Sequence, residues 1–409
     1  MSDAPITTTC CIAGGGPAGM MLGFLLARAG VEVVILEKHG DFFRDFRGDT
    51  IHPSTLELMY ELGLLDEFLK LPHQKVDKFG AQVGDQHMAV VDLTHLPTHC
   101  KYIALMPQWD FLNFVAAQGK RYRTFDLRLH AEATDLIEEG GRVVGLRAKT
   151  PDGGLEIRAG LVVGADGRHS TVREKSGLVG DDFGAPMDVL WFRLTRREAD
   201  QTETFGHIEA GMMMIMLNRG DYWQCAYVIP KDGIERVRAA GIDAFRNAVV
   251  KMSPYLADRV GELKSFDDVK LLTVAVDRLR QWWRPGLICI GDAAHAMSPV
   301  GGVGVNLAVQ DAVAAANRLA VPLRAGTVTD EDLQAIERRR TFPVRFTQRI
   351  QRMAQDRIIS SALAGTKPKV PLLFKALEAF PVLRRIPGRL LAVGVRPEHI
   401  HTPDVLSAS

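Results

Sequence analysis

Apolar positions along this chain of 409 residues fall into three textures: short unbroken runs, period-two alternations and helical stripes. Thr8–Ala13 is a run of buried-strand length, a helical stripe follows over Met20–Ala29, and Gly30 is placed to stop it. Val31–Leu36 is a second such run, which completes a β-α-β unit. Arg128–Val163 predicts a β-meander broken at Gly140-Gly141 and at Pro151-Asp152-Gly153-Gly154. Its last strand, Leu161–Gly164, runs into a turn and then a short helix carrying Arg168, Ser170 and Arg173. Further on, Val189–Arg193, Thr204–Ile208, Met212–Leu217, Tyr222–Ile229 and Val269–Val276 predict strands, with helix near Asp243–Lys251. Leu287–Ile290 is another short apolar run, and a helical pattern resumes from about Gly304. The Thr-x-x-Asp spacing of Thr329 and Asp332 marks the N-terminus of a helical tail. Neither internal repeats nor low-complexity tracts occur.

The turn after the first strand is Gly14-Gly15-Gly16-Pro17-Ala18-Gly19, a GxGxxG. In a β-α-β unit, Gly14 allows the tight turn, Gly16 lets a pyrophosphate approach the helix N-terminus, and Gly19 permits close helix–strand packing. Glu37 ends the second strand 23 residues beyond Gly14, where a ribose-binding carboxylate belongs. Gly23, inside the helix, reads as close packing rather than cofactor contact. The motif predicts a dinucleotide and leaves NAD and FAD open. Residues Gly291–Asp311, GDAAHAMSPVGGVGVNLAVQD, are more specific. Asp292 falls at the carboxyl end of a strand, where open α/β sheets bind ligands. Pro299 breaks the chain, and Gly301, Gly302 and Gly304 remove side chains that would hold a flat ligand away from the backbone. The helix beginning there aims unpaired N–H groups and its positive dipole end at the same place. A carboxylate set for sugar-like hydroxyls, followed by a helix N-terminus suited to an anionic ring, fits a flavin.

Leu161-Val162-Val163-Gly164-Ala165-Asp166-Gly167 supplies a third element, although an Asp-Gly turn can also be only a turn. With all three in this order and spacing, the chain resembles the class A FAD-dependent monooxygenases, the p-hydroxybenzoate hydroxylase-like aromatic hydroxylases, over about 350 residues. The resemblance implies an α/β fold: a FAD-binding Rossmann-like domain with an inserted α+β substrate domain and a helical C-terminal tail. Residues 1–75, 101–186 and 277–330 would form the first, 76–100 and 187–276 the second, and 331–409 the tail. It implies non-covalent FAD, with Gly14–Gly19 on the ADP half and Glu37, next to Lys38, at the adenosine ribose. Asp166 would lie near the pyrophosphate, Asp292 would hold the ribityl chain, and Pro299–Asn306, including Val303 and Val305, would cup the isoalloxazine. Arg47 in RGDTIHPSTLELM, Gln108 in LMPQWDFLNFV and Ala133 match further cofactor positions.

Composition narrows the partners. The chain is 46% hydrophobic and 24% charged with net charge +1, as in globular proteins, so neither nucleic acid nor an acidic partner is implied. Five cysteines without a CxxC pair argue against a disulfide framework. With no basic n-region at the N-terminus and no apolar stretch near 20 residues, the expectation is a cytoplasmic protein without secretory signal or membrane span. A homodimer is left open. His87, His95, His99 and Cys100 cluster in sequence, but Pro97 keeps them off one helical face and no metal is expected. The apolar and basic tail PLLFKALEAFPVLRRIPGRLLAVGV either packs on the body or lies on a membrane surface.

In this family the cofactor carries the hard chemistry. The resemblance therefore implies NAD(P)H reducing FAD, O2 captured as a flavin C4a-hydroperoxide, and oxygen transfer to a small aromatic, phenol-like substrate, with no assigned catalytic side chain. Period-two alternation puts Trp191 with Arg193, His207 with Phe205 and Trp223 with Tyr227 on shared faces. Arg193, His207, Trp223, Tyr227, Met214 of the methionine run, and His52 after the Arg47 loop are the candidate substrate residues. The methionine run reads equally as core filling, and Arg193 as a surface arginine. A flavin-dependent reductase of a prenyl or alkene substrate is the alternative on the same scaffold. A halogenase is disfavoured, because Cys225–Pro230 lacks that group's two tryptophans.

Overall fold

The computed structural model describes residues 5–43, 50–84, 86–200, 205–359 and 377–406. An eight-stranded sheet forms its first layer. Its parallel strands run in the order Leu287–Cys289, Gly153–Gly164, Ile6–Ala13, Val33–Leu36 and Phe125–Arg128, with Trp283–Arg284 antiparallel at one edge. Glu132–Glu139 and Arg142–Thr150 make the expected meander onto Gly153–Gly164. Both faces are covered at Cys10–Ala13, Val33–Leu36, Leu161–Gly164 and Leu287–Cys289, which is why those stretches are unbroken by charge and buried throughout. Helices Pro17–Arg28, Gln108–Gly119 and Gly304–Ala325 cover one face; Trp282, Val172 and Val344 pack with the meander on the other. In Pro17–Arg28, Met20, Met21, Leu22, Leu25 and Leu26 are fully buried, each contributing about 1.5–3 kcal/mol. Gly23 makes that packing possible, since a Cβ there would stand 2.3 Å from Ile35 Cδ1.

A second sheet has seven strands, in the order Lys270–Leu272, Met187–Thr195, Tyr222–Pro230, Met212–Asn218, Phe205–Glu209, Lys78–Val83 and Gln86–Asp92. Its central strands Met187–Thr195, Tyr222–Pro230 and Met212–Asn218 are covered on both faces. Leu190, Phe192, Met214, Met216, Trp223 and Tyr227 lie under helix Ile242–Met252, against Phe245 and Val249. Val189, Trp191, Met213, Ile215, Ala226 and Val228 lie on the opposite face and meet Val274 and Val300. The strand expected over Val269–Val276 is only Lys270–Leu272. Beyond it side chains replace the ladder: Val274 N donates to Asp188 (2.9 Å), and Lys231 Nζ donates to Val274 O (2.8 Å).

A three-stranded sheet of Thr50–Ile51, Ile103–Leu105 and Gln74–Val76 lies between these elements in sequence. Thr329 caps helix Asp330–Ala354 through a complete capping box with Asp332, as its spacing predicts. Among the described residues of the tail, the last helix is Arg385–Ala392. Gly394 takes φ +83°, and Pro397 and Pro403 prevent resumption. This terminal stretch instead returns to the first helix, with Arg28 donating to Thr402 O (2.7 Å).

Candidate active site

Register decides which residues meet. Ala13 pairs with Gly164 and with Leu36, and Gly164 pairs with Cys289, so the parallel strands end level. Gly14, Glu37, Asp166 and Asp292 are thereby brought to one carboxyl edge, although far apart in sequence. Gly14 has φ +104°, and a Cβ on it would meet Ala165 O at 2.3 Å. A Cβ on Gly19 would meet Gly14 O at 1.9 Å. Gly16 is different: nothing lies within 4 Å of its added Cβ. It faces open space at the N-terminus of Pro17–Arg28, whose Gly16 cap supplies no side-chain acceptor to the first N–H groups. An uncapped helix end with a bare backbone beside it suits a pyrophosphate. Glu37 is buried and its carboxylate accepts from Gly15 N (3.1 Å) and His39 N (3.0 Å). Lys38 is exposed beside it, and Ala131 N, two residues before the half-buried Ala133, donates to Glu37 O (2.9 Å).

Asp166 turns inward. It accepts from Ser170 Oγ (2.5 Å) and Val172 N (3.1 Å), holding the start of helix Thr171–Ser176. Burial pushes its carboxyl pKa up despite those bonds. Asp292 stays partly exposed, 3.7 Å from the Arg168 guanidinium. Helix Gly304–Ala325 likewise begins without a side-chain cap, so this second helix end is open to an anion. The residues present therefore fit FAD at both ends. Gln108 opens helix Gln108–Gly119 and is partly exposed. Arg47 lies outside the described residues.

The Pro299–Asn306 loop is clamped from three sides. Gly301 and Gly302 have φ of +81° and +62°; Cβ atoms on them would stand 2.8 Å from Leu391 Cδ1 and 2.5 Å from Thr50 Oγ1. Asn306 Oδ1 accepts from His52 N (2.9 Å) and Thr55 Oγ1 (2.7 Å), while its Nδ2 donates to Thr50 O (3.2 Å). Val303 and Val305 are buried. Behind the loop, Gln348 donates to Ala296 O, Gln351 to Ser298 O and Val300 O, and Gln355 to Ser298 Oγ. This glutamine stripe at i, i+3 and i+7 was readable as one helical face, but its partners were not.

A buried charge network supports the same turn. Asp311 accepts from Gly291 N (3.1 Å), His295 Nε2 (2.5 Å) and Arg340 Nε (2.8 Å). Arg340 also pairs with Glu398 at 3.2 Å. Sequence reasoning assigned none of these four a role.

His52 is completely buried, so it borders no open space; its Nδ1 pairs with Leu391 O at 2.9 Å. Burial brings its pKa down to about 4, against the opposing pull of that backbone bond. The unfolded chain therefore takes the proton first, and stability is lost as pH falls from about 6.5 towards 4, by about 3 kcal/mol. In urea titrations, His52→Gln should flatten that limb; an unchanged slope would assign it to another group.

The candidate substrate residues do not gather. Met214, Trp223 and Tyr227 belong to the core under Ile242–Met252, and Trp223 Nε1 donates to Asp200 (3.0 Å). His207 pairs directly opposite Met214 and shares that face, 3.5 Å from Glu209. The expectation that these four line the substrate is corrected: alternation defines two faces, and helix Ile242–Met252 takes this one. Arg193 is exposed on the side of Trp191. Of the methionine run, Met213 lies on the other face, where it, Ile215 and Val300 pack against one cluster; the sequence reading did not single out Ile215.

Residues 7–350 match the family described as FAD binding domain. The 6-methylpretetramide 4-monooxygenase of Streptomyces rimosus is 33% identical over 386 residues, covering 93% of this chain and 92% of its own. Among solved structures, an anhydrotetracycline hydroxylase from Streptomyces rimosus superposes with TM-score 0.74 at 22% identity, over 95% of this chain and 77% of that one. A flavin-dependent brominase does so with TM-score 0.76 at 19% identity, over 96% and 94%. The chain belongs to the FAD-binding class A aromatic hydroxylase-like monooxygenases. FAD is its cofactor. A hydroxylase and a brominase thus share this fold, so the fold alone does not set the reaction.

Proposed function

We propose that this protein is an NAD(P)H-driven monooxygenase that hydroxylates a flat, phenol-like polycyclic aromatic compound. The observation that carries this reading is the roof beside the flavin loop: Val189, Trp191, Met213, Ile215, Ala226 and Val228 form an uninterrupted apolar face, and Val300 of the loop packs against the same cluster. Such a surface accepts fused rings, excludes water and offers no carboxylate clamp except Arg193 at its margin. The relative acting on 6-methylpretetramide supports the same substrate class. When bound, FAD supplies hydride acceptance and the activation of O2 for transfer of one oxygen atom. The chain's own residues do the rest. Gly16 and the Pro17–Arg28 helix end hold the pyrophosphate, Glu37 the ribose, and Asp292 the ribityl hydroxyls. Backbone N–H groups at Gly304–Asn306 stabilise negative charge on the ring. In this reading the seven-stranded sheet is the inserted substrate domain.

Asp292→Ala removes a charged acceptor, a loss of about 1.5–3 kcal/mol. FAD affinity should fall roughly 10- to 150-fold; unchanged affinity would mean that Asp292 serves only Arg168. For the reaction itself, a fitting aromatic compound should raise NAD(P)H oxidation at least about 10-fold, by favouring a reducible arrangement of the site. One atom from labelled O2 should appear in the product. Stimulated turnover without label would identify a reductase instead.

A further inference from the structure

Helix Arg385–Ala392 is apolar on two sides. Gly388, Leu391 and Ala392 face inward: a Cβ on Gly388 would stand 2.5 Å from Asp92 O, and Ala392 is fully buried beside Leu93 and Leu105. At about 100° per residue, Ile386 and Leu390 project roughly opposite that packed face, with Arg385 and Arg389 along one flank. Phe380 and Val382 extend the apolar stripe on the preceding turn. Exposure of Phe380, Val382, Ile386 and Leu390 is 63%, 61%, 60% and 37%. Arg385 and Arg389 are exposed as well, and neither has an ion pair with a described residue. Single surface leucines need no explanation, but four large apolar side chains in eleven residues with an arginine rim do.

We propose that this stripe docks the protein on the surface of an anionic bilayer. Its apolar side chains would enter the boundary between headgroups and acyl chains while Arg385 and Arg389 meet lipid phosphates. No helix among the described residues is long and apolar enough to cross a membrane, so the contact is superficial. A protein partner is the poorer fit, because four side chains on a convex helix fall short of the roughly 800 Å² per partner of a standard interface. The inner side of this element touches the flavin loop through Leu391 and Gly301. Docking would thus place the bilayer behind the wall of the site, which suits an apolar substrate dissolved in lipid; only that last step rests on the proposed function.

The test sediments FAD-loaded, full-length protein with vesicles of phosphatidylcholine alone or mixed equally with phosphatidylglycerol. Each basic residue at an anionic surface contributes about fivefold to partitioning, so the mixed vesicles should bind at least about 10-fold more, falling with added salt. Val382→Glu with Ile386→Glu should abolish binding while FAD content and circular dichroism stay unchanged, both side chains being exposed. Arg385→Glu with Arg389→Glu should remove the preference for anionic lipid. Equal binding to both vesicles, or binding undiminished in the first variant, overturns the proposal. So does lipid-free self-association that the first variant abolishes, since the stripe would then be a contact between copies. Turnover is not read in any arm, so the outcome is independent of the hydroxylase reading.

Discussion

Gly16→Val is expected to yield a folded protein that cannot retain FAD. The backbone at Gly16 has φ −76° and ψ −175°, an extended conformation open to β-branched residues, and an added Cβ meets nothing. The apoprotein should therefore lose only about 1 kcal/mol, from the changed cap position. Two methyl groups would nevertheless stand where the pyrophosphate must approach the backbone. A steric block of at least about 2.7 kcal/mol corresponds to a 100-fold loss of affinity. Gly14→Val is the contrasting case. Its φ of +104° and the 2.3 Å approach to Ala165 O put the clash inside the protein, so the apoprotein itself should lose about 3 kcal/mol or more. Flavin absorbance after gel filtration and urea midpoints of the two apoproteins check the pair. Yellow, FAD-saturated protein from Gly16→Val would displace the pyrophosphate from the place assigned to it.

Those glycines were legible because their reasons are local. A tight turn, an uncapped helix end and the Thr329–Asp332 box each depend on a few neighbouring residues, and the unbroken runs at Thr8–Ala13 and Val31–Leu36 have one stable use in a sheet covered on both faces. The substrate face was less legible for the same physical reason. When both faces of a sheet are buried, alternation separates Trp191 from Trp223 by side only in relative terms, and nothing local says which side receives helix Ile242–Met252. His52 was placed near the flavin loop by its position in the chain; that it is locked by Asn306 and Leu391 depends on partners 254 and 339 residues away. The supports of Asp292 were illegible altogether. Asp311 gathers His295 and Arg340 from 16 and 29 residues away, and Arg340 reaches Glu398 across 58 more. No spacing rule connects a helix interior to a C-terminal extended segment.

That network carries the largest stability prediction. Asp311, His295 and Arg340 are each at most 1% exposed, and removing one partner from a buried ion pair typically costs about 3–5 kcal/mol, because the other charge is left uncompensated. Asp311→Ala should lower stability by that amount and also release Gly291 N, loosening the turn that presents Asp292. FAD affinity should fall together with stability. Burial alone would raise the Asp311 pKa, yet the His295 ring and the Arg340 guanidinium hold it below the ordinary carboxylate value. With a depressed folded-state pKa, its contribution is complete above the unfolded value of about 3.9 and is lost as pH falls through the folded one. Native protein should accordingly show two acid limbs: one from about pH 6.5 towards 4 to which His52 contributes, and a second below about pH 4 that Asp311 shares with other depressed carboxylates such as Asp200 and Asp332. Asp311→Ala should make the second shallower and keep the first. Arg340→Met tests the same pairing from the other side, since it removes the guanidinium shared by Asp311 and Glu398 and leaves them only His295 and Arg339; it should destabilise most at neutral pH, where both acids are ionised. If either variant unfolds at the wild-type urea midpoint, the network is not what holds the flavin turn to the C-terminal segment.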